Sequence, residues 1–241
     1  MTLRNVVKSV LPASVRDSLR AAEREIVFRR AMRRFLANPV ACARPGSPVL
    51  KDLIRGWGND GWSASDEYLA GCIAHASTTS GPILECGSGL STILIGAIAT
   101  RRGQTHWALE HAPEWAKRVQ RCLRRYKLDS VVLSSAPLRD YGAFRWYDPP
   151  LAAMPKSFSL VVCDGPPAGA RGGRSGLVPI MRQRLAPGCV ILLDDACRAE
   201  ELAIAVRWAA ELKASFGVVR GAKPYIRMTV AAPARSAPSA A

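Results

Sequence analysis

Several features that mark particular protein classes are missing from this sequence. The seven cysteines include no Cys-x-x-Cys pair, and the three histidines are not spaced with them as zinc ligands. The longest apolar stretch, about residues 90–99, is shorter than the roughly 20 residues that cross a bilayer. Residues 1–20 contain no apolar block of the signal-peptide kind. We therefore expect a cytoplasmic protein with free thiols and no structural zinc.

Two nucleotide-binding motifs are incomplete. Residues 82–91 read PILECGSGLS, so that an apolar run ends in Glu85 and is followed by Gly87 and Gly89. The dinucleotide fingerprint G-x-G-x-x-G would need a glycine where Thr92 stands, and no Gly-Lys-Ser/Thr follows as a P-loop requires. A carboxylate at position 85 would repel a pyrophosphate and attract an ammonium group. These residues favour a ligand with an amino group, while an NAD-binding Rossmann oxidoreductase is the alternative from another class.

Acidic residues are scarce. The chain has 34 Lys and Arg against 19 Asp and Glu, a net charge of +15, and residues 1–45 hold ten basic residues against three acids. Basic surface attracts nucleic acid, acidic lipid or acidic substrates, and a solvated basic face is an equal alternative. Apolar residues at helical spacing predict an amphipathic helix over residues 15–36. We expect it to dock on its own domain, with a peripheral membrane contact or a neighbouring subunit as alternatives.

The composition divides the chain into three segments. Residues 1–45 form a basic helical N-terminal extension, which ends in a turn-rich stretch over 38–48. Residues 46–232 form the main domain, in which a helix is expected to start within residues 62–67 with Ser63 or Ser65 as its cap. Residues 233–241 are small and proline-bearing, which predicts a disordered tail.

Strand and helix patterns alternate through the main domain. Short, continuously apolar strands between helices predict a parallel sheet that is covered on both faces. The last two strands are separated only by residues 222–224 and should form an antiparallel hairpin at one edge. The predicted strands are 82–86, 106–111, 130–135, 158–164, 189–195, 216–221 and 225–230. The predicted helices are 90–101, 113–127, about 174–185, and 199–213.

Two acids end the first two predicted strands. Ligands of an open parallel sheet bind outside the carboxyl ends of its strands, and the helix from Leu90 aims its N-terminal amides at the same place. Glu85 is followed there by the glycine turn. Glu110 ends the next strand, where a carboxylate can accept both hydroxyls of a ribose. An amine-seeking acid followed by a ribose-seeking acid indicates a nucleoside attached to an amino acid.

Four blocks together resemble the class I S-adenosylmethionine-dependent methyltransferases. The blocks are E-C-G-S-G-L-S, the Glu110 strand end, S-L-V-V-C-D-G-P-P and L-A-P-G-C-V-I-L-L-D-D, within roughly residues 60–230. The resemblance implies an α/β, Rossmann-like, doubly wound sheet of seven strands in the order 3-2-1-4-5-7-6, with the last strand antiparallel. It also assigns residues 46–232 to the methyltransferase domain and implies S-adenosylmethionine as the cofactor.

The same resemblance implies a set of cofactor contacts. Those to the methionine moiety would come from Glu85, Gly87, Ser88 and Gly89, with Asp164 also near the cofactor. Glu110 would bind the ribose. The residues after the third strand, Ala136, Pro137 and Leu138, would lie against adenine, with Asp140 nearby.

Acids at the ends of the fourth and fifth strands are the candidate catalytic residues. Asp164 follows the fourth strand, and the pair Asp194 and Asp195 follows the fifth. Such acids act as a general base or hold a divalent cation such as magnesium, and a helix cap is the structural alternative for Asp195. Metal-dependent catechol-type O-methyltransferases resemble this pattern, with Asp164 and Asp195 as ligands. Their expected asparagine and catalytic lysine are here Ala196 and Pro167, so a poorly characterised bacterial group of the same class is the better match.

The expected acceptor is an oxygen of a small molecule or a glycan. The glycine-rich residues 168–176 predict a loop over it, in which Arg171 or Arg174 binds a carboxylate or phosphate. Asp194 and Tyr147 are further candidate substrate residues. The residues that would wall the acceptor pocket, with core packing as the alternative for the tryptophans, are Trp57, Trp62, Trp146 and Tyr147.

Nucleic acid is the alternative acceptor because of the net charge. Base-specific amino-methyltransferases typically carry Asp/Asn-Pro-Pro-aromatic after the fourth strand. Here Asp148-Pro149-Pro150 is followed by Leu151 and precedes that strand, and the end of the fourth strand reads DGPP over 164–167, without an aromatic residue. No RNA-binding module is recognisable. A non-catalytic relative of the family is disfavoured by the intact cofactor motif.

Overall fold

The computed structural model describes residues 12–59 and 64–232. The start of the predicted N-terminal extension, the predicted tail over 233–241, and the candidates Trp62 and Ser63 lie outside these ranges. Among the helices described, none has the length and apolar character needed to span a membrane.

Seven helices and nine strands are present in the described ranges. The helices are α1 (Ala13–Ala37), α2 (Pro48–Trp57), α3 (Asp66–Thr78), α4 (Leu90–Arg102), α5 (Pro113–Arg125), α6 (Leu177–Met181) and α7 (Ala199–Leu212). The strands are β1 (Ile83–Cys86), β2 (His106–Glu110), β3 (Val131–Ser135), β4 (Leu138–Asp140), β5 (Arg145–Tyr147), β6 (Phe158–Cys163), β7 (Leu185–Leu193), β8 (Ser215–Val219) and β9 (Tyr225–Thr229). Short 3-10 turns cover Val40–Cys42, Gly173–Gly176 and Arg182–Arg184.

The main sheet has the order β3-β2-β1-β6-β7-β9-β8. Its first five strands are parallel, and β9 runs antiparallel to both of its neighbours. Counted along this sheet alone, the order is 3-2-1-4-5-7-6, which confirms the predicted topology. The register pairs Cys86 with Cys163 and Cys163 with Leu193, so that β1, β6 and β7 end at one level.

Alternate residues of the central strands face two separate cores. Ile83 and Leu160 pack with α3 and α4 on one face, while Leu84 and Val161 pack with α6 and α7 on the other. Parallel strands that are covered on both faces are apolar throughout, which is why the sequence pattern of these strands is continuous rather than alternating.

Three elements differ from the predictions. The hairpin β4–β5 was not expected, because its three-residue strands carry exposed charges. The predicted helix over about 174–185 consists of two 3-10 turns around the five-residue α6. Strand β7 begins at Leu185 rather than 189, because a break in the β6–β7 register accommodates residues 186–189, with Gly188 at φ +76°.

Helix α2 was also missed, although its sequence carries both end signals. Pro48 lies in the first turn, and Gly58 ends the helix in the left-handed conformation with φ +66°. At the start of α3, the hydroxyl of Ser65 accepts a hydrogen bond from the Tyr68 amide at 3.2 Å, as one of the two predicted caps.

The C-terminal half of α1 docks on the main domain, as expected. Phe28, Met32 and Phe35 are buried against α2 and the core behind it. Gly56 permits this approach, because a Cβ there would lie 2.7 Å from the Cα of Phe28. The N-terminal half leaves its apolar side chains in solvent, with Leu19 52% exposed.

Replacement of Phe28 by alanine should destabilise the protein by about 3–5 kcal/mol, because it leaves a cavity beneath α1. The ring packs on Trp57 and Tyr126 at centroid distances of 5.7 and 6.2 Å. The matched control, Leu19→Ala on the same helix, should change stability by no more than about 0.5 kcal/mol. Urea unfolding measures both, and equal effects would contradict the docking of α1.

Candidate active site

A cavity of about 590 Å³ opens at the carboxyl ends of β1, β2, β6 and β7. This volume is typical of a small-molecule site. Its walls come from the glycine turn after β1, the residues after β2, the acids after β6 and β7, and the loop before α6. The predicted residues that line it are Glu85, Gly87, Ser88, Gly89, Glu110, Tyr147, Asp164, Arg174, Asp194 and Asp195.

The two glycines of the turn after β1, Gly87 and Gly89, are required for different reasons. Gly87 has φ +94°, where a side chain would be strained, and its neighbour across the turn is Gly165. Gly89 is extended, and a Cβ built on it would meet no atom within 4 Å, so that open space lies beside it. The Gly89 amide donates to Thr92 Oγ1 at 2.8 Å. Thr92 therefore caps α4 from the position that a dinucleotide fingerprint gives to glycine.

Glu85 is buried at the floor of the cavity, 1% exposed. Its Oε1 accepts a hydrogen bond from Ser91 Oγ at 2.5 Å. Its Oε2 has no hydrogen-bond partner and lies 3.0 Å from Nε2 of the fully buried His106. His106 was not predicted from the sequence, since a histidine at the start of an apolar strand carries no distinctive pattern. A buried carboxylate at the floor of a cavity favours a cationic group, such as an ammonium group, beside it.

Glu110 holds the glycine turn against the end of β2. Its Oε2 accepts from the amide and hydroxyl of Ser88 at 3.1 and 2.7 Å, and its Oε1 accepts from the Ala112 amide at 2.8 Å. His111 Nδ1 lies 3.2 Å from Oε1. Burial alone would raise the pKa of Glu110, but the contact with His111 and the bonds from Ala112 and Ser88 hold that pKa below its ordinary value. Glu110 is therefore an ionised acceptor at neutral pH.

Aromatic residues form one side of the cavity. Trp115 Nε1 donates to the Ser88 carbonyl at 2.7 Å, and the Trp115 ring meets that of Trp57 edge-on at 5.9 Å. The Arg118 guanidinium packs over both rings at 4.5 and 5.0 Å. Trp57 was a predicted wall residue, whereas Trp115 was missed. Trp146 is fully buried in the core and does not line the cavity.

The predicted adenine-side residues lie elsewhere. Ala136 is fully buried, packs in the core and is not among the cavity-lining residues. Asp140 is exposed, accepts from the Gly142 amide at 2.8 Å and pairs with Arg171. The physical reason is that β4 leads the chain into the hairpin and away from the cavity, whose wall at this end is formed by His111 and its neighbours.

Tyr147 lines the cavity from the end of this hairpin. Its side chain is fully buried, and its hydroxyl has no hydrogen-bond partner. Burial raises the pKa of Tyr147 well above its ordinary range, so the phenol stays neutral. Gly165 makes room for it, because a Cβ there would overlap the hydroxyl.

Three acids converge at the ends of β6 and β7. Carboxylate oxygens of Asp164, Asp194 and Asp195 lie within 4.8 Å of one another. Burial and the charge of Asp194 raise the pKa of Asp164 well above its ordinary range, although Arg174 opposes the shift. Burial and Asp195 likewise raise the pKa of Asp194. The pair Asp164 and Asp194 therefore retains a proton that two isolated carboxylates would lose.

Asp195 is not a helix cap. Residue Arg198 stands at the N-cap of α7, and Asp195 adopts a left-handed conformation with φ +62°. Its carboxylate instead meets two guanidinium groups, those of Arg174 at 2.8 Å and Arg198 at 3.0 Å.

Arg174 occupies a different place from the one predicted. It was expected on an open loop over the acceptor, but its side chain is buried beneath the three acids, with the residue 2% exposed. Its Nη1 lies 3.6 Å from Oε1 of Glu201, a buried residue of α7 that the sequence analysis missed. A glycine-rich stretch normally predicts a solvated loop, and no local sequence pattern indicates that one of its arginines is buried. Arg171, the other candidate, is exposed and pairs with Asp140.

Residues 84–196 match the family model described as a methyltransferase domain. Among solved structures, the S-adenosylhomocysteine-bound methyltransferase PaMTH1 of Podospora anserina is similar with a TM-score of 0.56 and 14% identity, over 71% of this chain and 81% of that one. Precorrin-6Y C5,15-methyltransferase of Geobacter metallireducens is similar with a TM-score of 0.54 and 15% identity, over 72% of this chain and 96% of that one. The O-methyltransferase of Bacillus cereus in complex with S-adenosylhomocysteine is similar with a TM-score of 0.51 and 14% identity, over 77% of this chain and 92% of that one. No curated protein matches this chain by sequence.

The matched segment runs from β1 to the turn after β7 and contains both glutamates and all three aspartates of the cavity. Together with the sheet order, it shows a methyltransferase domain over residues 84–196 with the fold of the class I methyltransferases. The residues present fit S-adenosylmethionine, the cofactor that this fold implies. The buried carboxylate of Glu85 favours its ammonium group, the space beside Gly89 leaves room for its methionine chain, and the ionised Glu110 is an acceptor for ribose hydroxyls.

Replacement of Glu110 by alanine should weaken the binding of S-adenosylhomocysteine by about 1–3 kcal/mol, because charge-assisted hydrogen bonds are lost. The matched control is Glu114→Ala, which removes an exposed acid of α5 that pairs only with Lys117 within the described ranges. Calorimetric titration of both variants measures the difference. An unchanged affinity in the Glu110 variant would remove this residue from the cofactor site.

The acid cluster should make the protein less stable as the pH rises. The folded state keeps protons on Asp164 and Asp194 that the unfolded chain releases above the ordinary value of 3.8, so the free energy of unfolding falls with increasing pH. In Asp194→Asn, one of these acids no longer titrates, so the decline of the free energy of unfolding above about pH 4 should be smaller. Urea unfolding at a series of pH values above about 4 measures this decline, with Asp148→Asn as the control. A slope equal to that of the wild type would contradict the shared proton.

Proposed function

We propose that the protein transfers the methyl group of S-adenosylmethionine to an oxygen of a small-molecule or glycan acceptor, with Asp164 as the general base. The observation that carries the proposal is the carboxyl pair of Asp164 and Asp194, which lies beside the glycine turn at the end of the same cavity. Asp194 is buried, while the Asp164 side chain keeps 32% of its surface open to the cavity and solvent.

The cofactor supplies a methyl group on a sulfonium, which an acceptor oxygen displaces in line. The chain must then remove the proton of the acceptor hydroxyl. A general base works best when its pKa lies near the working pH, and the raised pKa of Asp164 moves this carboxyl group in that direction. Asp194 lies beside Asp164 to share the proton, and the buried Arg174 fixes Asp164 through a 3.0 Å contact to Oδ1.

Two basic residues of the cavity wall support an anionic group on the acceptor. Arg198 is shared with Asp195, whereas the Lys223 ammonium has no hydrogen bond or ion pair within the described ranges. Lys223 is nevertheless held in place by its neighbours. The Ala222 amide donates to Glu67 Oε1 at 2.8 Å, and the Pro224 carbonyl accepts from the Ala196 amide at 2.9 Å. We therefore assign to Lys223 the binding of an acceptor carboxylate or phosphate, which was expected of Arg171 or Arg174.

The two alternatives gain no support from the site. The NAD-binding oxidoreductase is not consistent with the methyltransferase family match over residues 84–196. For nucleic acid, acids of the N-terminal segment pair with arginines of the main domain, Glu23 with Arg55 and Glu25 with Arg125, as fits a segment that docks on its own domain.

Incubation of the protein with S-adenosylmethionine and a panel of acceptors tests the proposal. The panel contains phenols, hydroxy acids, phosphorylated and plain monosaccharides, and short RNA. We expect S-adenosylhomocysteine to be released with an anionic hydroxyl compound, and the methylated product is identified by mass spectrometry. Methylation of RNA alone would overturn the small-molecule assignment.

Once an acceptor is known, Asp164→Asn should lower kcat by about 10²–10⁴-fold, the usual contribution of a general base. Its affinity for S-adenosylhomocysteine should change little, because the amide keeps the shape of the carboxyl group. Asp148→Asn, the aspartate of the earlier Asp-Pro-Pro stretch, is the control and should keep full activity. Wild-type kcat in the Asp164 variant would place the base elsewhere.

A further inference from the structure

We propose that the guanidinium group of Arg174 occupies the position of a divalent cation between β6 and β7, so that the protein works without a metal ion. The proposal concerns the site of the proposed methyl transfer, and it rests on that function only for the catalytic role of the aspartates. Whether Arg174 or a metal ion lies between the aspartates can be measured without any acceptor.

The contacts of one nitrogen carry the inference. Nη2 of Arg174 lies 3.0 Å from Oδ1 of Asp164 and 2.8 Å from Oδ2 of Asp195. These are the two carboxylates that the resemblance to metal-dependent catechol-type O-methyltransferases would make metal ligands. Nη2 also donates to the Asp164 carbonyl at 2.8 Å. Nη2 therefore has three oxygen acceptors, which come from two neighbouring strand ends. A bridging cation would use these same oxygens as ligands.

The second nitrogen extends this arrangement to the other side of the cluster. Nη1 donates to the Asp194 carbonyl at 2.6 Å and lies 3.6 Å from the carboxylate of Glu201. The planar, permanently charged guanidinium group therefore joins β6 and β7 through hydrogen bonds, and it joins α7 through an ion pair with Glu201. A hydrated ion would need oxygen ligands at about 2.0–2.6 Å in the space that these nitrogens fill.

The glycine-rich loop explains how the arginine reaches this place. Gly172 and Gly173 both have left-handed backbones, with φ +75° and +51°, and they begin the 3-10 turn that carries Arg174. The far end of the turn packs closely, because a Cβ on Gly176 would overlap the ring of Trp146. The loop is thereby turned inward, and Arg174 is held beneath the acids rather than over the acceptor.

Displacement of this guanidinium by a metal would be costly. Arg174 is 2% exposed, and a buried charge that loses its partners is strongly destabilising. The repulsion between a divalent cation and the guanidinium opposes their joint occupation of the site. Arg198 adds a second positive charge at Asp195, with Nη1 at 3.0 Å from Oδ2.

Titration with Mn²⁺, followed by the paramagnetic signal of the free ion, tests the inference on the full chain. The wild type should show no site at Asp164 and Asp195, and neither EDTA nor Mg²⁺ should alter its Tm or its affinity for S-adenosylhomocysteine. Arg174→Gln, which removes the charge, should bind Mn²⁺ at least about tenfold more tightly than the wild type. Arg171→Gln, from the exposed part of the same loop, is the matched control and should behave as the wild type does.

Arg174→Lys keeps a cation in place and should therefore gain no Mn²⁺ site. If the Arg174→Gln variant does not fold, the Mn²⁺ titration of the wild type still shows whether a metal ion binds at Asp164 and Asp195. Binding of Mn²⁺ by the wild type that is lost in Asp195→Asn would overturn the inference. Methyl transfer that is unaffected by EDTA supports both proposals, while a metal-free protein inactive on every acceptor would contradict the proposed function alone.

Discussion

The crowding of carboxyl groups at the ends of β6 and β7 is the constraint on which the site depends. Because the register brings Cys86, Cys163 and Leu193 to one level, the residues that follow them share one small volume. Three aspartates meet there, and their repulsion is relieved by a retained proton on one side and by Arg174 on the other. The loop before α6 and the placement of Glu201 follow from the need to bury that guanidinium group.

The other end of the cavity is organised by acceptors rather than by a counter-charge. Glu110 accepts hydrogen bonds from Ser88 and Ala112, and it therefore fixes the glycine turn before any ligand arrives. Glu85 is buried beside His106, with Oε2 and Nε2 3.0 Å apart. The two carboxylates make this end of the cavity favourable to a ligand with an ammonium group and hydroxyl groups.

Much of this arrangement could be predicted from the sequence, because it depends on local patterns. Continuous apolar runs gave the strands, and the acids that end them marked the edge where Glu85, Glu110 and Asp164 lie. Contacts between distant segments could not be predicted. The burial of Arg174 depends on the fit of a glycine-rich turn against Trp146, and the buried His106 is apparent only once β2 is placed beside β1.

Calorimetric titration of the wild-type protein with S-adenosylhomocysteine, and separately with NAD, tests the central claim most directly. The cavity should bind one S-adenosylhomocysteine per chain and no NAD, since the buried carboxylate of Glu85 favours an ammonium group and repels a pyrophosphate. Binding of NAD, or of neither compound, would contradict the assignment of the turn after β1 to S-adenosylmethionine.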